Sequence, residues 1–299
     1  MKKNLLALAL VALTTGSAFA QANDTLAKVK NSGSITLGVR DSSGALSYTL
    51  GEGKFVGFHV ELCQRIVANV EKAVGKKLDV KYQSVTSQNR IPLTQNGTID
   101  IECGSTTNNA TRQKDVSFAV TTFVEEVRIA VKANSGITSI AQLDGKNVAT
   151  TTGTTSVQTL RKNERANKID FKEVYGKDHA DSFLLLDSGR SDAFVMDGSI
   201  LAGNIANAKN PADFKIVGEV LSVEPIAIML RKDDPAFKKL ADDTLKDLMK
   251  SGEMAKLYDK WFVQAIPPKN VKVGLAASES IKTAWATPND KPMEDYAKK

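Results

Sequence analysis

The chain is poor in the residues on which metal and nucleophile chemistry depend. Its 299 residues include two cysteines, two histidines and two tryptophans, and aromatic residues make up 6%. Cys63, Cys103, His59 and His179 have no metal-ligand spacing, so no metal and no cofactor is expected. No serine lies in a nucleophile-elbow sequence, and there is no phosphate-binding loop. After the N-terminus no apolar run approaches the roughly twenty residues that cross a bilayer. Repeats of short period are absent, as are linkers rich in Gly, Pro or Ser, which argues against beads on a string. Charge of one sign is scarce as well. Forty basic residues against 34 acidic give +6, an excess too mild to point to nucleic acid.

The first twenty residues read as a secretory signal. Lys2 and Lys3 are followed by an apolar run from Leu5 to Leu13 and by the small-x-small pattern Ala18-Phe19-Ala20. The mature chain is expected to start at Gln21, without a lipid-anchored Cys. Loss of Lys2 and Lys3 leaves 38 basic residues of the 40, and a net charge of about +4. In an oxidising compartment the two cysteines suit a single disulfide, two buried thiols being the alternative. Apolar content of 42% and charged content of 25% are ordinary for a globular protein.

The remaining pattern is βα alternation. Residues 34–39 read as a strand, followed by a loop with Gly44, Gly51 and Gly53. Phe58, Leu62, Ile66, Val70 and Val74 recur at helical spacing before Gly75. A strand at 78–82 precedes a helix after Ser87, and Ile99, Ile101 and Cys103 form the next strand. From Val127 a second series begins, with strands at 127–131, 146–150, 171–174 and 193–196 and helices between them. A strand at 223–230 and helices at 235–250 and 253–262 follow. Such units predict mostly parallel sheets with helices on both faces.

Ligands of open α/β sheets bind beyond the carboxyl ends of strands, often at helix N-termini that favour anions. Four segments place polar residues there. Arg40 follows the opening strand. Ser87 is placed to cap the next helix, and Arg90 sits in its first turn, where a cation opposes the helix dipole and is better explained by an anionic partner. Cys103 leads into a hydroxyl-rich loop with Ser105 and Thr107, then Arg112, a residue type that grips carboxylates through paired hydrogen bonds. In the second series, residues 151–156 run from strand to helix and include Thr155. His179 precedes another helix, and Asp197 ends a strand, where it could accept from an ammonium or cap the helix after it.

Arg40, Thr86-Ser87-Gln88-Asn89-Arg90-Ile91-Pro92, Gln95-Asn96-Gly97, Glu102-Cys103-Gly104-Ser105-Thr106-Thr107-Asn108-Asn109 and the block 176–183 resemble the periplasmic glutamate/aspartate-binding proteins of bacterial ABC importers, in solute-binding protein family 3. Blocks at 230–240 and 266–270 extend the resemblance nearly to the C-terminus. It implies that Arg112 grips an α-carboxylate with Thr107 and Thr155, and that Asp197 and Ser105 hold the α-ammonium. Arg40, Ser87, Arg90 and His179 would then surround a side-chain carboxylate. Three arginines and one aspartate match the two carboxylates and one ammonium of an acidic amino acid. Some relatives carry a Cys in the strand that 222–229 resembles; this chain does not, so a bridged Cys103 would pair with Cys63.

The implied fold is α/β, the type II periplasmic-binding-protein architecture, with residues 21–124 and 221–299 in one lobe and 125–220 in the other. Hinge crossovers are expected near 124–127 and 219–223. The implied function is capture of L-glutamate or L-aspartate by a monomer in the periplasm, for delivery to a membrane permease. Glutamine or another polar amino acid is the alternative ligand. An enzyme on the same scaffold and a sensory domain are the rival classes; the first is opposed by the scarcity of catalytic residues, the second by the lack of a fused membrane or signalling segment.

Overall fold

Strand-forming and helix-forming segments alternate along the chain, and in the computed structural model, which describes residues 24–296, they assemble into two five-stranded sheets. The signal segment expected at 1–20 and the start at Gln21 lie outside the described residues. In chain order the sheet strands are β1 (Ser34–Val39), β2 (Asp79–Ser84), β3 (Ile101–Glu102), β4 (Val116–Phe118), β5 (Phe123–Lys132), β6 (Asn147–Thr151), β7 (Lys172–Gly176), β8 (Ala193–Asp197), β9 (Phe214–Ile226) and β10 (Met229–Arg231). The first sheet has the order β2-β1-β3-β10-β4, and the second β7-β6-β8-β5-β9.

Each sheet contains one reversed strand. β10 runs against β3 and β4, and β5 runs against β8 and β9. Both are the first strands after the chain changes sheets, so each starts at the edge facing the other sheet. The strands reached through a helix end at that edge instead. The carboxyl ends of β1, β3, β6, β7 and β8 therefore face one another across the gap between the sheets.

Helices cover both faces of each sheet, so a central strand such as β8 is buried along its whole length, whereas the edge strands β2 and β7 are polar and partly exposed. In β8, Ala193 and Val195 enter one core with Ile129, Ile140 and Leu160, whereas Phe194 and Met196 enter another with Ala130, Ile200 and Leu201. The helix Phe58–Val74 buries Phe58, Leu62, Ile66 and Val70 against the first sheet and stops at left-handed Gly75, as its spacing predicts. Cys63 on that helix is bonded to Cys103 just beyond β3, across a Cα separation of 6.1 Å. The loop-closure entropy of the 40-residue separation corresponds to about 4 kcal/mol of stabilisation.

Several local expectations are corrected. The glycine-containing loop after β1 carries a small antiparallel sheet, Ser42–Ser43, Ser47–Gly51 and Lys54–Val56. The strand expected at 223–230 is two strands: β9 starts at Phe214 and continues through a bulge between Val217 and Ser222, and the chain bends at Ala227-Ile228 before β10. Helices at Thr25–Ser32, Glu279–Ala286 and Met293–Tyr296 were not anticipated. No helix among the described residues is long and apolar enough to cross a membrane.

β5 and β9 join the two halves. Their paired ends, Phe123 opposite Ile226 and Val124 opposite Pro225, reach the first sheet's core, where Phe123, Val124 and Ile226 are buried. The halves also touch closely beside this crossover. A Cβ on Gly203 would lie 2.9 Å from the Cα of Gly44, and one on Gly153, already at φ +78°, would lie 2.9 Å from the backbone N of Gln88. Only glycine permits these backbone approaches.

Candidate functional site

Arg40 leaves β1 fully buried, and its Nη2 donates to Ser87 Oγ (3.1 Å) and to Asp178 Oδ1 (2.6 Å). His179 Nε2 lies 3.2 Å from the same nitrogen, and His179 Nδ1 lies 3.0 Å from Thr151 Oγ1. A neutral imidazole that donates from Nδ1 to Thr151 and turns its Nε2 lone pair toward Arg40 accounts for both contacts, the two Nη2 hydrogens being shared among three acceptors. The environment favours that neutral form: burial, with Arg40 beside it, pulls the His179 pKa down to about 3. Asp178 moves the opposite way for an acid. Burial works against its charge, but the Arg40 guanidinium, with Ser42 donating to Oδ2 at 2.6 Å, holds its carboxyl below the usual range.

Arg90 is the first residue of the short helix Arg90–Gln95 and is 2% exposed. Asn89, not Ser87, occupies the N-cap position, and no side chain caps the helix. Ser87 is instead an acceptor for Arg40. The Arg90 Nε and Nη1 have no hydrogen-bond partner among the described residues. Burial, then the neighbouring Arg112 charge, depresses its pKa well below the ordinary value. A buried cation lacking acceptors is costly unless something anionic reaches it.

The loop after β3 brings in Ser105, Thr107 and Arg112, all buried. Ser105 Oγ lies 3.0 Å from Ser43 Oγ. Arg112 opens a three-residue 3-10 turn. Its Nη1 donates to Thr107 O at 2.8 Å, and Nη2 to Gly153 O at 3.4 Å across the gap. From the second sheet, Thr155 begins the helix Thr155–Asn167 at the end of β6, where unpaired N–H groups face the gap. Asp197 ends β8, 2% exposed. It stands at the N-cap position of Gly198–Ala206 without a side-chain capping bond, and its Oδ1 has no partner among the described residues. Burial, together with the charges of Glu125 and Glu224, raises its pKa well above the usual carboxylate range.

All nine side chains singled out from sequence thus lie buried between the two sheets. The charge inventory of three arginines and one aspartate is incomplete, however. Asp178 pairs with Arg40, and three further buried acids surround the site. Glu102 Oε2 accepts from Thr106 (2.8 Å), while Oε1 has no partner among the described residues. Glu224 on β9 accepts from Thr107 and Thr155, and Glu125 on β5, directly opposite it in the strand register, accepts from Ser199. Burial pushes Glu125 up to about 7 despite the Ser199 bonds. Asp178 carries a signal in its place just before a helix that begins with His179. The three glutamates sit within apolar strands, where nothing local marks them.

The arrangement therefore offers guanidinium N–H groups (Arg40 Nε and Nη1, Arg90 Nε and Nη1) and a carboxyl oxygen (Asp197 Oδ1) that the described residues leave unbonded in one buried space. Such a space complements a small molecule carrying both negative and positive groups.

Comparison with known proteins agrees with that chemistry. The family model for bacterial extracellular solute-binding proteins, family 3, matches residues 35–264. The glutamate/aspartate import solute-binding protein of Escherichia coli is 45% identical over 295 residues, covering 96% of this chain and 98% of the relative. The L-glutamate/L-aspartate-binding protein of Pseudomonas aeruginosa is 46% identical over 272 residues, covering 90% of each. Among solved structures, a mutant of ArgBP from T. maritima superposes with a TM-score of 0.71 at 29% identity, covering 80% of this chain and 99% of that one.

Proposed function

Because the chain belongs to the bacterial extracellular solute-binding proteins of family 3, we propose that its buried polar space is a cleft for an acidic amino acid. The protein binds L-glutamate or L-aspartate as a monomer and delivers it to the permease of an ABC importer. It is a transport protein and not an enzyme. The observation that carries the ligand class is Arg90: a guanidinium 2% exposed, with Nε and Nη1 unbonded, close enough to Asp197 to feel its charge.

In this reading Arg112 grips the α-carboxylate, together with Thr107 and with Thr155 at its helix N-terminus. Asp197 and Ser105 take the α-ammonium. Arg90, the free nitrogens of Arg40, Ser87 and His179 surround the side-chain carboxylate. His179 stays neutral there and is positioned by Thr151 and Arg40, so Arg90 and Arg40 supply the charge that distinguishes a carboxylate from an amide. The added acids sharpen the account: Asp178 neutralises part of Arg40, which leaves Arg90 the larger share of the selectivity for acidic over neutral side chains.

The two lobes, residues 21–124 with 221–299 and residues 125–220, close on the ligand by bending at the β5–β9 crossover, and ligand stabilises the closed form because it touches both. Export by the signal at 1–20 places the mature chain in the periplasm. Calorimetric titration of ligand-stripped protein with a panel of amino acids tests the function; glutamate and aspartate should bind well above glutamine, and silence from both acidic ligands would refute it. Arg90→Ala should lose more affinity for glutamate than for glutamine, and equal losses would overturn the side-chain assignment.

A further inference from the structure

Glu224 is fully buried on β9, within the crossover, yet its carboxylate reaches segments of both sheets. Oε2 accepts from Thr107 Oγ1 and from Thr155 Oγ1, each at 2.6 Å, and Oε1 accepts from Ser222 Oγ at 2.8 Å. Thr107 belongs to the loop after β3 in the first sheet. Thr155 starts a helix of the second. Their hydroxyl oxygens are 3.2 Å apart. Each threonine has one hydroxyl proton, and both are given to the same carboxylate oxygen, so the contact between the hydroxyls has no proton left to bind it. While both protons go to the carboxylate, it is the carboxylate and not a direct bond between the hydroxyls that holds the two threonines together.

The neighbouring glutamate is engaged differently. Glu125, the register partner of Glu224, is bonded to Ser199 Oγ and, at 3.3 Å, to Ser199 N, both within the second half. Only Glu224 of this pair connects the first-sheet loop to the second-sheet helix. Hydrogen bonds to an ionised acceptor are the strong ones, and two of them converge on Oε2.

We propose that Glu224 is an interlobe latch: a positioning residue on the crossover that draws Thr107 and Thr155 together from opposite lobes and so stabilises the closed form before any ligand binds. It also commits both hydroxyl protons, so these threonines meet the α-carboxylate through their backbone N–H groups. The effect on affinity rests on the acidic-amino-acid reading of the cleft. The effect on closure does not.

The test uses the full mature chain, stripped of ligand, as wild type and as Glu224→Leu, Thr155→Val and Thr107→Val. Small-angle scattering of the ligand-free proteins reports the interlobe opening, and calorimetry with glutamate reports affinity. Each variant should show a larger radius of gyration than wild type without ligand. Glutamate binding should weaken about tenfold or more, through faster dissociation, because closure is no longer partly prepaid by the latch. Adding Thr155→Val to Glu224→Leu should open the lobes by less than the sum of the two single effects, since both remove the Glu224–Thr155 bond. A ligand-free radius unchanged in Glu224→Leu, or in Thr155→Val should the former not fold, overturns the latch. Failure of wild type to bind glutamate would sink the function proposed for the cleft while leaving the scattering comparison to decide the latch.

Discussion

Replacing Arg90 with Met should make the ligand-free protein more stable and the ligand-bound protein much less so. The guanidinium is 2% exposed, its Nε and Nη1 lack acceptors among the described residues, and the nearby Arg112 and Arg40 charges repel it. Each buried N–H left unbonded is worth about 1–3 kcal/mol. Met keeps most of the aliphatic stem and removes both groups, so after some loss of packing a net gain of about 2 kcal/mol is expected in the empty protein. For a chain of this size each kcal/mol moves the midpoint by about 2–4 °C, giving a rise of roughly 4–8 °C. The reverse holds with ligand. Truncating one partner of a buried charge pair costs about 2–5 kcal/mol of binding, roughly a thirtyfold to several-thousandfold loss for glutamate. Thermal scans with and without saturating glutamate read both effects at once, because ligand stabilisation grows with the logarithm of its saturation. If Arg90→Met lowers the ligand-free midpoint, the guanidinium is part of the scaffold and the reasoning from its missing acceptors is wrong. Retention of wild-type glutamate affinity would refute it equally.

Acidification should destabilise the protein through its two histidines. Burial lowers His59 to about 4 and His179 to about 3, so between the unfolded value near 6.5 and those values the folded state binds fewer protons, and stability falls as pH drops through that window. Glu125, raised by burial to about 7, acts oppositely: the folded state holds its proton longer, and stability falls as pH rises from about 4.5 to about 7. Urea unfolding at pH 5 to 8 should show Glu125→Gln gaining on wild type as pH rises; parallel curves would contradict the shift. Reduction of the Cys63–Cys103 bond should lower unfolding free energy by about 4 kcal/mol, and an unchanged urea midpoint under reductant would rule that out. Gly153→Ala places a methyl 2.9 Å from Gln88 N at a left-handed position. It should obstruct closure and weaken glutamate binding at least tenfold, as overpacking costs about 1–3 kcal/mol; wild-type affinity by calorimetry would count against a closed-form contact there.

The legible part of the site follows from where strands end. Arg40, Ser105, Thr155, His179 and Asp197 each come just after an apolar run or at its last residue, and βα alternation sends such positions to one edge of a sheet. Arg90 was visible for another local reason, a cation at a helix N-terminus. β9 was harder. β9 passes a bulge and changes cores within one strand, so its side chains follow no single period.

The sequence by itself determined the alternation of elements, the faces they bury and the nine polar side chains delivered to the gap, because these depend on residues three or four positions apart and on chain punctuation. Tertiary structure alone decided how those side chains are occupied. Glu224 meets Thr107 across 117 residues and Asp178 meets Arg40 across 138, and no local pattern records such meetings. Which acid neutralises which arginine is fixed by the packing of two sheets against a shared crossover, where low dielectric makes every unmatched charge matter.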